Sequence, residues 1–117
     1  MTVALLVFVG TLGTGHAGVL ATAPAQAAPG PENKMWCSIV NIDRAPRFVI
    51  TDILDYAGNV LDSSSSEVLL PNHGRAVGDI TGNGVWCRFT VEGSTKKFRA
   101  AAVYDDGSAY TVSIPAQ

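Results

Sequence analysis

The chain has 117 residues, a length that fits one domain of modest size. Its formal net charge is -2 at pH 7, from 8 Lys and Arg against 10 Asp and Glu. Because the sequence contains no basic patch and no polybasic run, we expect no binding to nucleic acid and no electrostatic attraction to an anionic membrane.

Residues 1–27 are predicted to be a secretory signal peptide. The first 31 residues contain no Lys, Arg, Asp or Glu, and they begin with an apolar run. Small residues follow this run, and signal peptidase requires small side chains at two positions before its cut. Residues 25–27 (AQA) meet this requirement, so cleavage is predicted after Ala27, with residues 23–25 (APA) as the second choice.

An uncleaved membrane anchor is the alternative to a cleaved signal peptide. The apolar run lacks the positively charged start of a signal peptide, which indicates a true start upstream or a shortened sequence. Several glycines interrupt the run, whereas a membrane-spanning helix needs about 20 strongly apolar residues. We therefore expect cleavage, no membrane span afterwards, an N-terminal extension over residues 28–34 and a single domain over residues 35–117.

Two cysteines, Cys37 and Cys87, each directly follow one of the two tryptophans, Trp36 and Trp86. In an exported chain, two cysteines most simply form one disulfide. The bond would close a loop of about 50 residues and stabilise the fold by about 4 kcal/mol through the entropy of the unfolded chain. A metal pair or a reactive thiol is the alternative, but a metal site needs further ligands at defined spacing.

The sequence after the signal peptide is predicted to form short strands without a convincing helix. The pattern is clearest over residues 85–93, where apolar residues alternate with polar ones and Cys87 falls on the apolar face. In chain order, the predicted strands span residues 36–42, 47–56, 67–70, 75–80, 85–93, 96–104 and 109–115.

Turn signals separate these strands. Asn83-Gly84 and Asp106-Gly107 suit tight turns, because glycine adopts positive φ without steric cost. The four serines within residues 61–67 are predicted to form the most polar and most mobile loop.

About seven short strands with turns about every 8–12 residues predict an all-β fold, either a small antiparallel sandwich or a small barrel. The early and late cysteines resemble the bridge between the sheets of an immunoglobulin-type sandwich. The resemblance is to an architecture only, because the tryptophan of an immunoglobulin core lies between the cysteines and points inward. The expected fold is an Ig-like antiparallel β-sandwich with one disulfide.

No catalytic residue, metal site or cofactor is predicted. His73 is the one histidine beyond the expected cleavage site, and no serine lies in a nucleophile elbow. Most acidic residues fall in predicted turns, where Asp is favoured for backbone reasons. Calcium bound by Asp105 and Asp106, or by Asp79 near Asn83, is an alternative, although neither matches the spacing of an EF-hand loop.

Trp36, Trp86 and Arg88 are the candidate residues for contact with a ligand or partner. If both cysteines point inward, strand alternation turns both indole rings outward, and a bridge between sheets places them on opposite faces. An outward ring is covered by the protein's own chain, by a partner protein or by a stacked polysaccharide. If the cysteine strands are instead neighbours, Trp36 faces Arg88 in a cation–π pair worth about 0.5–1 kcal/mol.

These features predict an exported, non-enzymatic binding or cell-surface accessory module, secreted or held in the cell envelope. Its partner would be a protein or a cell-envelope polysaccharide, and its Ala-Pro-rich signal is in the style of a high-GC bacterium. The alternative function is a secreted inhibitor of an extracellular hydrolase, presenting residues 61–69 or 70–78 as a rigid loop. An enzyme is the third class, because a fold does not fix a function.

Overall fold

The computed structural model describes residues 17–24, 34–80, 85–105 and 111–117. These residues form strands and a single 3-10 turn. The elements in chain order are β1 Ala17–Ala21, β2 Lys34–Asn41, β3 Arg47–Leu54, β4 Val60–Leu69, β5 Gly74–Ile80, β6 Trp86–Glu92, the 3-10 turn Thr95–Lys97, β7 Phe98–Asp105 and β8 Thr111–Pro115.

The strands form two four-stranded antiparallel sheets that pack into a small β-sandwich. Sheet one has the order β1-β6-β3-β4, and sheet two has the order β5-β2-β7-β8. The predicted all-β sandwich is confirmed, and the seven predicted strands correspond to β2 through β8.

The hydrophobic core lies between the sheets, because the inward side chains of both sheets are apolar. The alternation predicted around Cys87 is observed, with Phe89 and Val91 buried on the same side of β6. Cys37 and Cys87 are fully buried and joined by a disulfide, with an S–S distance of 2.06 Å and a Cα–Cα distance of 5.6 Å. The predicted disulfide is therefore confirmed, and it ties β2 in sheet two to β6 in sheet one.

The prediction of a mobile serine loop over residues 61–67 is wrong. These residues lie within β4, which pairs with β3 at the edge of sheet one. The serines fit a strand because its register shifts there and Ser65 takes a φ of 58°. At this irregularity the Ser64 hydroxyl accepts a hydrogen bond from the Thr51 N–H at 2.9 Å, replacing a ladder bond. Pairing with β3 thus overrides the turn preference of serine.

Strand β1 is formed by residues of the predicted signal peptide. It runs antiparallel to β6, with Ala17 opposite Glu92 and Ala21 opposite Arg88. The predicted cleavage site at residues 25–27 lies outside the described residues, so cleavage stays a prediction. If it occurs as predicted, it removes β1 from the sandwich.

The residues around the end of β1 join both sheets. The Thr22 N–H donates to the Cys87 carbonyl at 3.0 Å, and the Thr22 hydroxyl accepts from the Cys87 N–H at 2.9 Å. Ala21 exchanges two backbone hydrogen bonds with Gln117, which follows β8 of sheet two. This segment therefore closes the sandwich beside the disulfide.

Two predicted turns fall outside the described residues. These are Asn83-Gly84 and Asp106-Gly107, although β7 and β8 on either side of the second turn do pair antiparallel. Most of the predicted N-terminal extension, residues 28–33, also lies outside them. Across the ranges that the structure describes, no helix has the length and apolarity to cross a membrane.

Candidate binding surface

The two tryptophans lie on opposite outer faces of the sandwich. Trp36 follows the buried Met35 and precedes Cys37, whereas Trp86 lies between the buried Val85 and Cys87. Because β2 and β6 belong to different sheets, strand alternation directs the two rings away from each other. Both tryptophans are half-buried, and they do not form one platform.

Trp86 is held by its own chain. Its indole N–H donates to the Asp55 carbonyl at 3.0 Å, in the turn that follows β3. Leu54, opposite Trp86 in the register, is only 1% exposed. The Asp55 carboxylate stabilises the same turn by accepting from the N–H groups of Ala57 and Asn59, each at 2.9 Å. Hydrogen bonds from Asn59 are the main reason that the pKa of Asp55 lies below its usual range. Trp86 therefore contributes to the structure of this turn.

Arg88 pairs with an acidic neighbour on β3. Its guanidinium donates to Asp52 Oδ2 at 3.1 Å, and Asp52 lies directly opposite it in the register. The cation–π contact with Trp36, predicted for the case of neighbouring cysteine strands, is absent because these strands lie in different sheets. Arg88 and Trp86 instead share the outer face of sheet one.

A groove of about 420 Å³ lies on this outer face, beside the start of β3. We call it the β3–β6 groove. Antiparallel register places its side chains in two adjacent rows across the sheet. The first row is Ala17, Glu92 and Phe48, and the second row is Thr90, Ile50 and Ser66. Val68, opposite Phe48, and Val19, opposite Thr90, extend these rows beyond the groove.

Large apolar side chains at the β3–β6 groove are open to solvent. Phe48 is 49% exposed, Val68 is 49% exposed and Val19 is 55% exposed. Single exposed apolar residues are common on protein surfaces, whereas neighbouring ones around a concave surface form a contiguous apolar patch. Phe48 and Val68 are direct cross-strand neighbours, so their exposed surfaces are contiguous.

Polar groups at the β3–β6 groove come from β6 and, through Ser66, from β4. Glu92 Oε1 accepts a hydrogen bond from the Phe48 N–H at 3.0 Å, and the Thr90 side chain occupies the next outward position of β6. A few polar groups in an apolar groove can orient a ligand. They do not form a nucleophile with its base, since His73 lies exposed in the turn before β5 with its Nδ1 beside the Pro71 carbonyl at 3.0 Å.

No metal site is built from the residues described. Within these ranges, no three or more His, Cys, Asp and Glu side chains are grouped so that they could hold a metal ion. Both calcium alternatives, at Asp105 and Asp106 and at Asp79 with Asn83, involve side chains outside those that the structure describes.

The face around Trp36 has a different character. Across the neighbouring strands, Trp36 lies opposite Gly78 and Val103, and Ser38 in the next row lies opposite Ala101. Gly78 is required by close packing, because a Cβ there would approach the Met35 carbonyl oxygen to 2.5 Å. This face is thus built from small side chains around one half-buried indole.

The two segments considered as inhibitor loops do not project from the fold. Residues 61–69 belong to β4. The turn before β5 is pinned to the end of β2, because the Asn72 N–H donates to the Asn41 carbonyl at 2.7 Å and the Asn41 N–H donates to the His73 carbonyl at 3.0 Å.

The sequence predicted part of this surface. It identified the outward direction of Trp86 and Arg88 but missed Phe48 and Val68. The sequence of β3 contained a signal for this surface. Phe48 and Ile50 make the outer face of the strand apolar, although its inner face already fills the core. Comparison of the chain with protein-family models, with curated proteins and with solved structures finds no match.

Proposed function

We propose that this protein is an exported, non-enzymatic binding module that contacts its partner through the β3–β6 groove. The observation that carries the proposal is the exposed pair of Phe48 and Val68 at the groove. Covering apolar surface is favourable by about 25 cal/mol for each Å² removed from water. The predicted cleavage removes Ala17 from the margin of the groove but leaves Phe48, Ile50, Thr90 and Glu92, so the exported chain keeps the apolar surface that a partner would cover.

The chemistry of the groove favours a protein as the partner. Protein interfaces combine an apolar or aromatic centre with a polar margin, and Arg is enriched in them. The groove offers Phe48 as such a centre with Glu92 beside it, and the Arg88–Asp52 ion pair lies farther along the same sheet. A cell-envelope polysaccharide is the second candidate partner, and the half-buried Trp36 on sheet two is the ring on which it would stack.

Export is supported by the disulfide and by the predicted signal peptide. Disulfides form and persist in oxidising compartments, outside the cytoplasm. The Cys37–Cys87 bond is buried at the centre of the sandwich, where it joins the two sheets. It therefore serves the stability of the fold, as expected of a small domain in such a compartment.

An Ig-like arrangement of the central strands is part of the proposal. In immunoglobulin domains strand B pairs with E, strand C pairs with F, and a disulfide joins B to F. Here β2 pairs with β5, β3 pairs with β6, and the disulfide joins β2 to β6. The outer strands differ, because β7 lies beside β2 and β1 occupies the position of strand G beside β6.

A pair of substitutions tests the binding surface. Replacing Phe48 and Val68 by serine removes the apolar rim and leaves the core unchanged, because both side chains point outward. We expect the complexes that the exported protein forms with other proteins, isolated from the medium and the cell envelope by density gradient, to be lost. Tyr56→Ser is the matched control, since Tyr56 is 66% exposed in the turn at the other end of β3. Complexes that persist in the double variant, or that Tyr56→Ser also removes, would contradict the proposal.

A further inference from the structure

We infer that removal of the predicted signal peptide uncovers the edge of β6, and that a second copy of the chain then pairs there to form a two-fold β6–β6 dimer. The inference rests on the predicted cleavage after Ala27. It does not depend on which partner fills the β3–β6 groove.

Strand β1 and Thr22, which follows it, pair with buried polar groups of β6 that are costly to leave unpaired. The N–H and carbonyl of Cys87 both bond to Thr22, beside the buried disulfide. Leu20 packs against the core opposite Phe89, which is fully buried. Without β1, the odd-numbered residues of β6 present unpaired backbone groups next to apolar surface. Such an edge is a template for pairing with another strand.

The sequence of β1 does not match the charges of β6. Ala17 lies opposite Glu92, and Ala21 lies opposite Arg88. Neither alanine can pair with the charged side chain that it faces. Strand β1 therefore supplies backbone hydrogen bonds and apolar cover to β6 but no electrostatic complement.

Strand β6 is complementary to itself. In an antiparallel pair centred on Thr90, Arg88 lies opposite Glu92 of the second copy and Phe89 lies opposite Val91 of the second copy. The register keeps outward side chains beside outward ones, as sheet geometry requires. Moving the centre by one residue, to Phe89, places Arg88 opposite Thr90 and loses both ion pairs. Charge therefore selects one register.

The backbone of β6 permits this register. Both polar groups of Cys87 point towards β1, so alternation directs those of Phe89 and Val91 the same way. Across the two-fold axis, Phe89 and Val91 can exchange both hydrogen bonds, while Thr90 forms a non-hydrogen-bonded pair with its own copy.

Arg88 and Glu92 can each bond to β3 and to the second copy at the same time. Arg88 bonds to Asp52 on one side and has further N–H donors for the second copy. Glu92 uses Oε1 for the Phe48 N–H, and its other oxygen can accept from Arg88 of the second copy. The new pairs therefore do not require the existing ones to break.

The dimer would make the binding surface bivalent. A two-fold axis perpendicular to sheet one joins β4-β3-β6 of each copy into one continuous six-stranded sheet. Both β3–β6 grooves then lie on the same face, in adjacent copies. A partner with two matching segments would be held by both grooves at once, which increases its overall affinity.

The dimer is tested by exporting the full chain and examining the released protein. We expect intact mass to show a chain beginning at Ala28, and light scattering to show a dimer. In the variant Thr90→Cys, the two introduced cysteines face each other with Cβ atoms about 4.5–5.5 Å apart. We expect a disulfide between the copies, found by peptide mapping without reductant. Ser113→Cys, exposed on sheet two, is the control and should not link.

A charge variant tests the register where Thr90→Cys fails to fold. Glu92→Lys sets like charges against Arg88 of the second copy at two places, so we expect the dimer dissociation constant to rise about tenfold. Asp62→Lys makes the same change in net charge on the exposed part of β4 and should leave the constant unchanged. A released chain that retains residues 17–24, a monomer, or equal effects of the two lysine variants would each overturn the inference. The proposal that a partner binds through Phe48 is tested separately, by cross-linking and by complex formation, and would stand after any of these results.

Discussion

At the scale of the residue, one hydrogen bond separates the roles of the two tryptophans. Both rings point away from the disulfide, as strand alternation predicts. Trp86 also donates to the Asp55 carbonyl, a partner 31 residues away in the chain. That contact could not be predicted from the sequence around Trp86, because it arises from the register between β6 and β3.

This difference predicts unequal effects of two matched substitutions. Trp86→Phe keeps an aromatic ring but removes the indole donor, so we expect the free energy of unfolding to fall by about 1–2 kcal/mol. Trp36→Phe removes no hydrogen bond that the structure assigns to the ring and should cost less. Urea unfolding of the two variants measures both values. Equal losses would show that the bond to Asp55 does not stabilise the turn.

At the scale of the element, the strands with strict alternation were the most predictable. Residues 85–93 were expected as a strand, and β6 spans Trp86–Glu92. Only the end of β4, from residue 67, was predicted as a strand, because its serines favour turns locally whereas its pairing with β3 is a long-range contact. Strand β1 was missed because a short run of small and apolar residues fits a signal peptide and a strand equally well.

The irregular pairing of β4 predicts that its serines differ in importance. Thr51 is fully buried, and its N–H depends on the Ser64 hydroxyl. In Ser64→Ala this N–H loses its partner, so we expect a loss of about 1–3 kcal/mol in the free energy of unfolding. Ser66→Ala, at an exposed position of the same strand, should change it by less than about 0.5 kcal/mol. Thermal or urea unfolding of both variants provides the measurement, and indistinguishable stabilities would contradict the assigned bond.

At the scale of the whole molecule, the β-sandwich and its disulfide were predictable, but the groove was not. Cysteine count and export indicated one disulfide, and strand spacing indicated a sandwich. The groove depends on Phe48 meeting Val68 and Glu92, residues brought together only by the order of the strands. Strand order could not be derived from one sequence, because turn signals show where strands end and not which strands pair.

The disulfide should dominate the stability of the whole domain. It closes a loop with a sequence separation of 50 residues, for which the chain-entropy account gives about 4 kcal/mol. We expect the double variant Cys37→Ala, Cys87→Ala to lose about 3–5 kcal/mol and to be insensitive to reductant. The oxidised protein should weigh less than its reduced form by two hydrogens. Two titratable thiols in the exported protein would contradict the bond.

The central claim is that the protein binds a partner through the β3–β6 groove. Photo-cross-linking during export tests this claim most directly. A benzophenone amino acid placed at Phe48 preserves an aromatic ring at the groove, and the same group at Ser113 reports on the opposite sheet. The proposed binding predicts a covalent adduct at Phe48 with a protein other than a second copy of this chain, and none at Ser113. No adduct at Phe48, or the same adduct at both positions, would contradict it.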